Sequence, residues 1–299
     1  MEGIAGAMPP MAISVVVPPG YIHAEAYLPV AQTLFKALCK LGLSCEWWVN
    51  RIEPGRVAVL FGAHLLDAAT ICRLPSNTIL FNLEQFDPAN PSPWFTPAYR
   101  QALHTHVVWD YSRYNTQALA QTDFAPPQIH WVPLGTVDGS PAIEVPRASV
   151  QDIDVLFYGS LNSRRLKPLR DMEALGLRVK VLSGVYGAER DRWIARAKVV
   201  VNIHFYETAL FEWPRVLPLL MSGVPVISEW SQPMDLDGDI VKIIQFSSYD
   251  TLPLVAKDVV GDGQMLSFMA SAGIRYAIRR DQARLLLDSI FNTNYFYHG

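Results

Sequence analysis

The chain has 299 residues, half of them hydrophobic and 18% charged, with a formal net charge of −3. That length suits two domains that each bury a core, and the apolar content excludes a disordered chain. The near-neutral charge excludes general attraction to polyanions, so nucleic acid is not an expected partner and any phosphate recognition has to be local.

In chain order, Ile13 to Val17 is a short, wholly apolar run of the kind found in parallel strands covered on both faces. A Gly-Tyr-Ile-His-Ala-Glu loop follows, and Leu28, Ala31, Leu34, Leu38 and Leu41 then recur at helical spacing up to a stop at Gly42. Further strands are predicted at Cys45 to Val49, Val57 to Phe61, Thr78 to Asn82, His106 to Trp109 and Ile129 to Val132. The turn-rich stretch Pro133 to Pro141 reads as a linker. The alternation then resumes with strands at Ile153 to Tyr158, Leu177 to Leu182, Val199 to Ile203, Pro225 to Ser228 and Val241 to Ile244. Helices are predicted near Arg164 to Leu175, Ala188 to Ala197, Glu212 to Met221 and Thr251 to Val259, and one long amphipathic segment near Gln264 to Ile290.

This pattern predicts two Rossmann-like, doubly wound parallel-sheet domains facing a cleft. The expected boundaries are 1–139 for a first domain, 140–272 for a second and 273–299 for a terminal helix. Cys39, Cys45 and Cys72 form no CxxC pair, so neither a disulfide framework nor a structural zinc is expected, and they read as reduced and buried. Met1 to Ala12 lacks a basic leader and no apolar run approaches the roughly 18 residues of a membrane span, so a cytoplasmic location is expected.

Ligands of open parallel sheets bind beyond the carboxyl ends of the strands, which selects the polar residues to weigh. Tyr158-Gly159-Ser160-Leu161-Asn162-Ser163-Arg164-Arg165 follows a strand and opens a helix. Gly159 permits close backbone approach, Ser160 and Asn162 offer hydrogen bonds, and Arg164 or Arg165 suits a diphosphate; a capped helix with two solvated arginines is the plainer reading. Tyr186 and Gly187, in a second strand-to-helix loop, could form a slot for a base, or only a glycine-assisted turn. His204 and Phe205 end another strand, and Phe211-Glu212-Trp213-Pro214-Arg215 opens the next helix, with Pro214 suited to its first turn. Glu212 could accept two hydrogen bonds from a ribose diol.

In the first half, His23, Glu84 and Asp110 lie in loops or strand ends where a general base toward an acceptor hydroxyl would sit, although a lone His or carboxylate is more often structural. His104 and His106 have no acidic or cysteine partner nearby in sequence, so no metal site is expected.

From about residue 129 to 229 the chain resembles the nucleotide-sugar-binding domain of GT-B glycosyltransferases, in particular bacterial group-1-like and CgeB-like enzymes. The residues that carry the resemblance are Val155 to Ser160 with Arg164-Arg165, Phe211 to Arg215, and Ser222-Gly223-Val224-Pro225-Val226-Ile227-Ser228-Glu229. Trp131 to Gly135 is similar to the interdomain crossover of that fold. The resemblance implies a metal-independent transferase without a cofactor, its nucleoside diphosphate sugar held by the second domain, and a terminal helix, here Arg279 to Ile290, that crosses back to the first. Group-1 enzymes often carry two glutamates separated by seven residues; here the residue eight after Glu207 is Arg215, so that pair does not carry over and Glu212 takes the ribose role.

Expected, then, is transfer of a sugar to a glycan, lipid-linked or protein hydroxyl acceptor, with Arg164, Arg165 and Arg215 against the departing diphosphate. A nucleotide-sugar epimerase and a non-catalytic sugar- or nucleotide-binding subunit stay open. Trp47, Trp48, Trp94 and Phe95 leave open core packing, a partner patch or a peripheral membrane contact.

Overall fold

The computed structural model describes residues 9–138, Ile143 and 150–291, with the side chains of 288–291 left out of the description. Residues 139–141 of the predicted linker, with the 139/140 boundary, and the segment beyond 291 lie outside it. The chain divides into two compact units, one running to Val137 and resuming at Asp281, the other from Asp138 to Arg280.

The first unit is a parallel sheet in the order β2-β1-β3-β4-β5-β6. Its strands are β1 (Met11–Val15), β2 (Cys45–Val49), β3 (Val57–Phe61), β4 (Ile79–Asn82), β5 (Val107–Asp110) and β6 (Ile129–Trp131). The four inner strands are buried along their whole length, which is why their sequences read as unbroken apolar runs rather than alternations. The helices are α1 (Leu28–Lys40), α2 (Ala68–Ile71), α3 (Pro97–Thr105) and α4 (Arg113–Leu119). Helix α1 buries Val30, Ala31, Leu34, Ala37 and Leu38. It stops as the sequence predicts: Gly42 takes φ +79, Leu43 N donates to Leu38 O at 3.2 Å and Gly42 N to Cys39 O at 2.9 Å.

The second unit is a parallel sheet in the order β11-β10-β9-β7-β8. Its strands are β7 (Ile153–Tyr158), β8 (Val179–Leu182), β9 (Ala197–Asn202), β10 (Val226–Glu229) and β11 (Gln245–Ser247). Helices α5 (Ser163–Ala174), α6 (Gly187–Arg196), α7 (Trp213–Met221), α8 (Ile240–Ile243), α9 (Leu252–Gly261) and α10 (Gly263–Arg279) alternate with them. One core joins Val155, Phe157, Val199, Val201 and Ile227 of the sheet to Leu169, Met172, Leu252 and Met269 of the helices.

Three expectations change. Ile240–Ile243 is a short helix and the strand begins at Gln245, because a five-residue stretch of four apolar residues around Lys242 is too short to carry a period that separates the two states. The long terminal segment breaks at Arg280–Asp281 into α10 and α11 (Gln282–Phe291), where the Asp281 carboxylate accepts from Ala283 N and Arg284 N as an N-cap. Cys39 and Cys72 are exposed and Cys45 half-buried, while Trp48 and Phe95 are core residues.

Helix α11 packs beside α1 within the first unit. Gln282, 2% exposed, ties its start to the exit of β6: Oε1 accepts from Gly135 N at 2.6 Å and Nε2 donates to Pro133 O at 3.2 Å. Among the described residues no helix is long and apolar enough to cross a membrane.

Candidate functional site

In the second unit the strand order reverses at β7, which has β8 on one side and β9 on the other. That switch point opens a crevice at the carboxyl ends of β7 and β9. The chain fills it with arginines. Arg165 is 4% exposed at its side chain; its Nε donates to Ile203 O at 2.8 Å, Nη1 to Ser160 O at 2.9 Å and Nη2 to Glu212 Oε1 at 2.8 Å. Arg215 pairs with the other oxygen of Glu212 at 2.9 Å and donates to Asn202 Oδ1 at 3.1 Å. Arg164 forks onto both oxygens of Glu229 and donates to His204 O at 2.9 Å. Three guanidinium groups against two carboxylates leave one positive charge, with Arg164 and Arg215 at 23% and 14% exposure as its solvent-facing members.

Electrostatics follow the packing. Burial pushes the Glu212 carboxyl up, but Arg215 and Arg165 outweigh it and hold the group below the usual carboxylate range. Burial lowers Arg165 to about 10 despite Glu212, and the hydrogen bonds of Glu229 hold Arg164 above its ordinary value.

Gly159 is where the backbone meets this cluster. Its φ is +137°, and a Cβ there would sit 2.8 Å from Arg215 Nη2 and 3.4 Å from Arg165 Nη1. Only glycine fits.

The other predicted residues are distributed unevenly. Ser160 is exposed and contributes its carbonyl to Arg165. Asn162 is a helix cap: Oδ1 accepts from Arg165 N at 2.9 Å and Nδ2 donates to Phe205 O at 3.1 Å, so its side chain is spent on the loop rather than offered to a ligand. His204 is fully buried, which lowers its pKa, and its Nε2 lies 3.1 Å from Trp230 O and 3.0 Å from Ser231 Oγ; it supports the wall of the crevice from beneath. Phe205 is half-buried with the Arg165 guanidinium over its ring at 5.2 Å. Tyr186 and Gly187 open α6 beyond β8, and that helix reaches the crevice through Arg190, whose guanidinium lies 5.6 Å over the Tyr158 ring. Arg165, read from the sequence as a catalytic group, is the buried brace of the cluster, and the sequence reading named Glu229 only as the end of a motif, without a place in the site. Glu229 is the last residue of β10, so the rule that ligands sit beyond strand ends would have found it.

In the first unit the loop after β4 is fastened by a network. Asn82 Oδ1 accepts from Tyr99 Oη at 2.8 Å and Glu84 N at 3.1 Å, and its Nδ2 donates to Asp110 Oδ2 at 2.6 Å. Asn115 Nδ2 donates to Asp110 Oδ2 at 3.0 Å and to Glu84 O at 2.9 Å, while Ser112 N donates to Asp110 Oδ1 at 2.7 Å. Asp110 is wholly buried and its carboxylate holds the loop, a structural place rather than the exposed one expected of a general base. His23 is exposed in a 3-10 turn (Ile22–Ala26), with its ring edge-on to Tyr21 at 5.4 Å.

Glu84 differs. Its backbone is tied down while its side chain stays 23% exposed, with His64 Nε2 3.5 Å from Oε1. Among the described residues no lysine or arginine lies within ion-pair distance of it. Burial pushes its carboxyl up to about 7 and pushes His64 down to about 4. His64, two residues after Gly62 at the end of β3, was not singled out from the sequence.

A raised carboxyl means that Glu84 contributes stability below its ordinary pKa of 4.5, which is lost as pH rises through about 7. The loss is on the order of 3 kcal/mol at 1.36 kcal/mol per pK unit. His64 acts oppositely, adding stability above 6.5 that disappears as pH falls through about 4. Glu84→Gln should therefore raise the urea midpoint at pH 8 and change little at pH 5. An unaltered difference between the two pH values would show that Glu84 ionises freely in the folded chain.

Among the described residues no group of three or more His, Cys, Asp or Glu side chains could hold a metal ion.

No protein-family model matches the chain. Two uncharacterised proteins of Acanthamoeba polyphaga mimivirus are similar in sequence: one is 33% identical over 105 residues, 34% of this chain and 12% of that protein, and the other 26% identical over 185 residues, 59% and 57%. The chain thus spans well under two thirds of either, and neither is bacterial. Solved structures match over nearly the whole chain. HepE of Anabaena, in complex with UDP and glucose, has a TM-score of 0.62 at 12% identity and covers 96% of this chain and 100% of its own. WaaG, a glycosyltransferase involved in lipopolysaccharide biosynthesis, has a TM-score of 0.56 at 11% identity, covering 93% and 98%. AviGT4, a glycosyltransferase involved in avilamycin A biosynthesis, has 0.55 at 14%, covering 97% of each. These likenesses, with two all-parallel α/β units, give the chain the GT-B fold.

Proposed function

We propose that the chain is a glycosyltransferase that moves a sugar from a nucleoside diphosphate sugar to a hydroxyl acceptor. The observation that carries this reading is the arginine-rich cluster at the switch point of the second unit, which has one positive charge in excess and a glycine packed against two of its guanidinium groups. A solved HepE structure holds UDP-glucose on the same fold, at a TM-score of 0.62 and 13% identity.

In this reading Arg215 and Arg164 meet the diphosphate from their exposed edges, and Glu212 and Glu229 keep the two forks aimed. The diphosphate leaves as negative charge grows on its oxygen, and the guanidinium groups answer that charge without a metal. Trp230, half exposed and stacked on Phe246 at 4.8 Å, offers an aromatic face next to Glu229 for the base.

Calorimetry of the full chain with UDP, GDP, ADP and dTDP tests the donor site. Saturable binding of at least one is expected, weakened about 10-fold to 100-fold by Arg215→Met, the worth of a charge-assisted hydrogen bond. Silence toward all four would sink the reading. Binding of the sugar nucleotide with no release of nucleotide under any acceptor would instead favour a binding subunit.

A further inference from the structure

The first unit makes one of its crossovers without a helix, and the omission leaves a space. Strand β2 returns across β1 to β3 through residues 50–56 alone, where a parallel crossover ordinarily takes about a dozen residues or more and includes a helix. Right-handed crossovers set α1, which joins β1 to β2, on one face of the sheet and this connection on the other. The second face therefore has no helix over β1. Trp48 covers the small residues Ala12 and Ala58 there, with Ile52 packed against them. Beside them lies a cavity of about 510 Å³, lined from Asn50, after β2, to Pro75, ahead of β4. Its volume falls in the range of small-ligand sites, about 300–1,000 Å³.

The lining is aliphatic. Val16, Ile52, Leu60, Leu66 and Leu74 contribute to it and no aromatic ring does, so nothing in it stacks on a sugar or a base. Its polar side chains are committed, with one exception. Ser14 Oγ donates to Arg51 O at 2.6 Å, and Asn50 clasps Val17, Oδ1 accepting from N at 2.7 Å and Nδ2 donating to O at 2.8 Å. Arg51 pairs with Glu53 at 2.7 Å and lies over the Trp48 ring at 5.0 Å. Asp67 accepts from Thr70 N at 2.7 Å and bonds the Thr70 hydroxyl as well. Arg73 is the exception. It is exposed and feels Asp67 electrostatically, but among the described residues no carboxylate lies within ion-pair distance of it.

We propose that this cavity binds a fatty acid, its alkyl chain along Leu60, Leu66 and Leu74 and its carboxylate on the Arg73 guanidinium. A guanidinium fork meets a planar carboxylate with two parallel hydrogen bonds. One arginine also balances one negative charge, whereas a phosphate monoester carries nearly two. The alkyl chain buries the apolar surface that a crossover helix would otherwise cover. The proposal is independent of the glycosyl-transfer reading: the cavity shares no residue with the cluster around Glu212, and none of His23, Glu84 and Asp110 lines it.

The test is calorimetry on the full chain with decanoate, 1-decanol, decyl phosphate and acetate, the chain-bearing probes kept below their micellar concentrations. Decanoate should bind saturably, one per chain and at least about 10-fold more tightly than decanol, the worth of a charge-assisted hydrogen bond. Acetate, a head without a chain, should give no signal. Arg73→Met should weaken decanoate about 10-fold to 100-fold and leave decanol unchanged, a split that a folding defect does not produce. Leu66→Trp, at a half-buried position of the lining, should fill the cavity and remove both ligands, with its melting curve as the check on folding. If that variant does not fold, the Arg73→Met split decides. No saturable decanoate binding, or wild-type decanoate affinity in Arg73→Met, overturns the site, and tighter binding of decyl phosphate than of decanoate overturns the carboxylate as its occupant. UDP calorimetry on the same samples keeps the two readings apart: decanoate binding without nucleotide binding sinks the donor site alone, and the converse sinks this one alone.

Discussion

Glu212→Ala should lower the stability of the second unit by about 3–5 kcal/mol, the usual cost of removing one partner from a buried ion pair. The cost is high because one carboxylate serves two guanidinium groups: Oε1 takes Arg165 at 2.8 Å and Oε2 takes Arg215 at 2.9 Å. Without it Arg165, at 4% exposure, keeps its main-chain acceptors Ile203 O and Ser160 O but has no counter-charge, and it stands beside a second arginine. Glu212→Gln should fall between the two, since an amide oxygen still accepts a hydrogen bond while the charge is gone. The exposed Glu173→Ala serves as a control that should not move. Urea unfolding followed by circular dichroism reads all three. A loss below about 1 kcal/mol for Glu212→Ala would mean that the pairings barely repay their desolvation. If the crevice takes a diphosphate, UDP should stabilise Glu212→Ala more than it stabilises the wild type, because the ligand supplies the missing negative charge.

Asp110→Ala should be nearly as damaging, at least about 3 kcal/mol, for a different reason. The carboxylate is an acceptor for Asn82 Nδ2, Asn115 Nδ2 and Ser112 N. Its removal leaves these donors buried and unsatisfied, each costing about 1–3 kcal/mol. The same network holds both ends of the Glu84 peptide, so the loop after β4 should lose protection from hydrogen exchange together with the midpoint shift. If Asp110→Ala kept the wild-type midpoint and lost only turnover, Asp110 would be a chemical group after all and its structural assignment would fail.

The difference between these two acids explains how far the sequence could be read. Glu212 and Asp110 look alike in a sequence, each an acid at the mouth of a strand-to-helix loop. Both are bound to neighbours that no spacing rule connects: Arg165 is 47 residues from Glu212, and Asn82 is 28 from Asp110. Arg164 and Arg165 are adjacent, yet one forks onto Glu229 and the other is sealed beneath Glu212, because consecutive helix positions point about 100° apart. Glu84 and His64 are 20 residues apart with one strand, β4, between them, and the parallel pairing of β3 with β4 brings them to 3.5 Å.

By itself the sequence determined the two α/β units, all-parallel sheets, the stop of α1 at Gly42 and the loop that carries the chain from β7 into α5. Those follow from local terms: apolar runs long enough to be covered on both faces, a glycine where the backbone turns left-handed, and a helix start after a strand. Tertiary structure alone decided which arginine is a brace and which faces solvent, that Glu229 is the carboxylate on which Arg164 forks, and that Glu84 rather than Asp110 keeps a carboxylate within reach of solvent. Burial and partner choice are properties of strand order, and strand order is set by the summed packing of residues far apart in the chain.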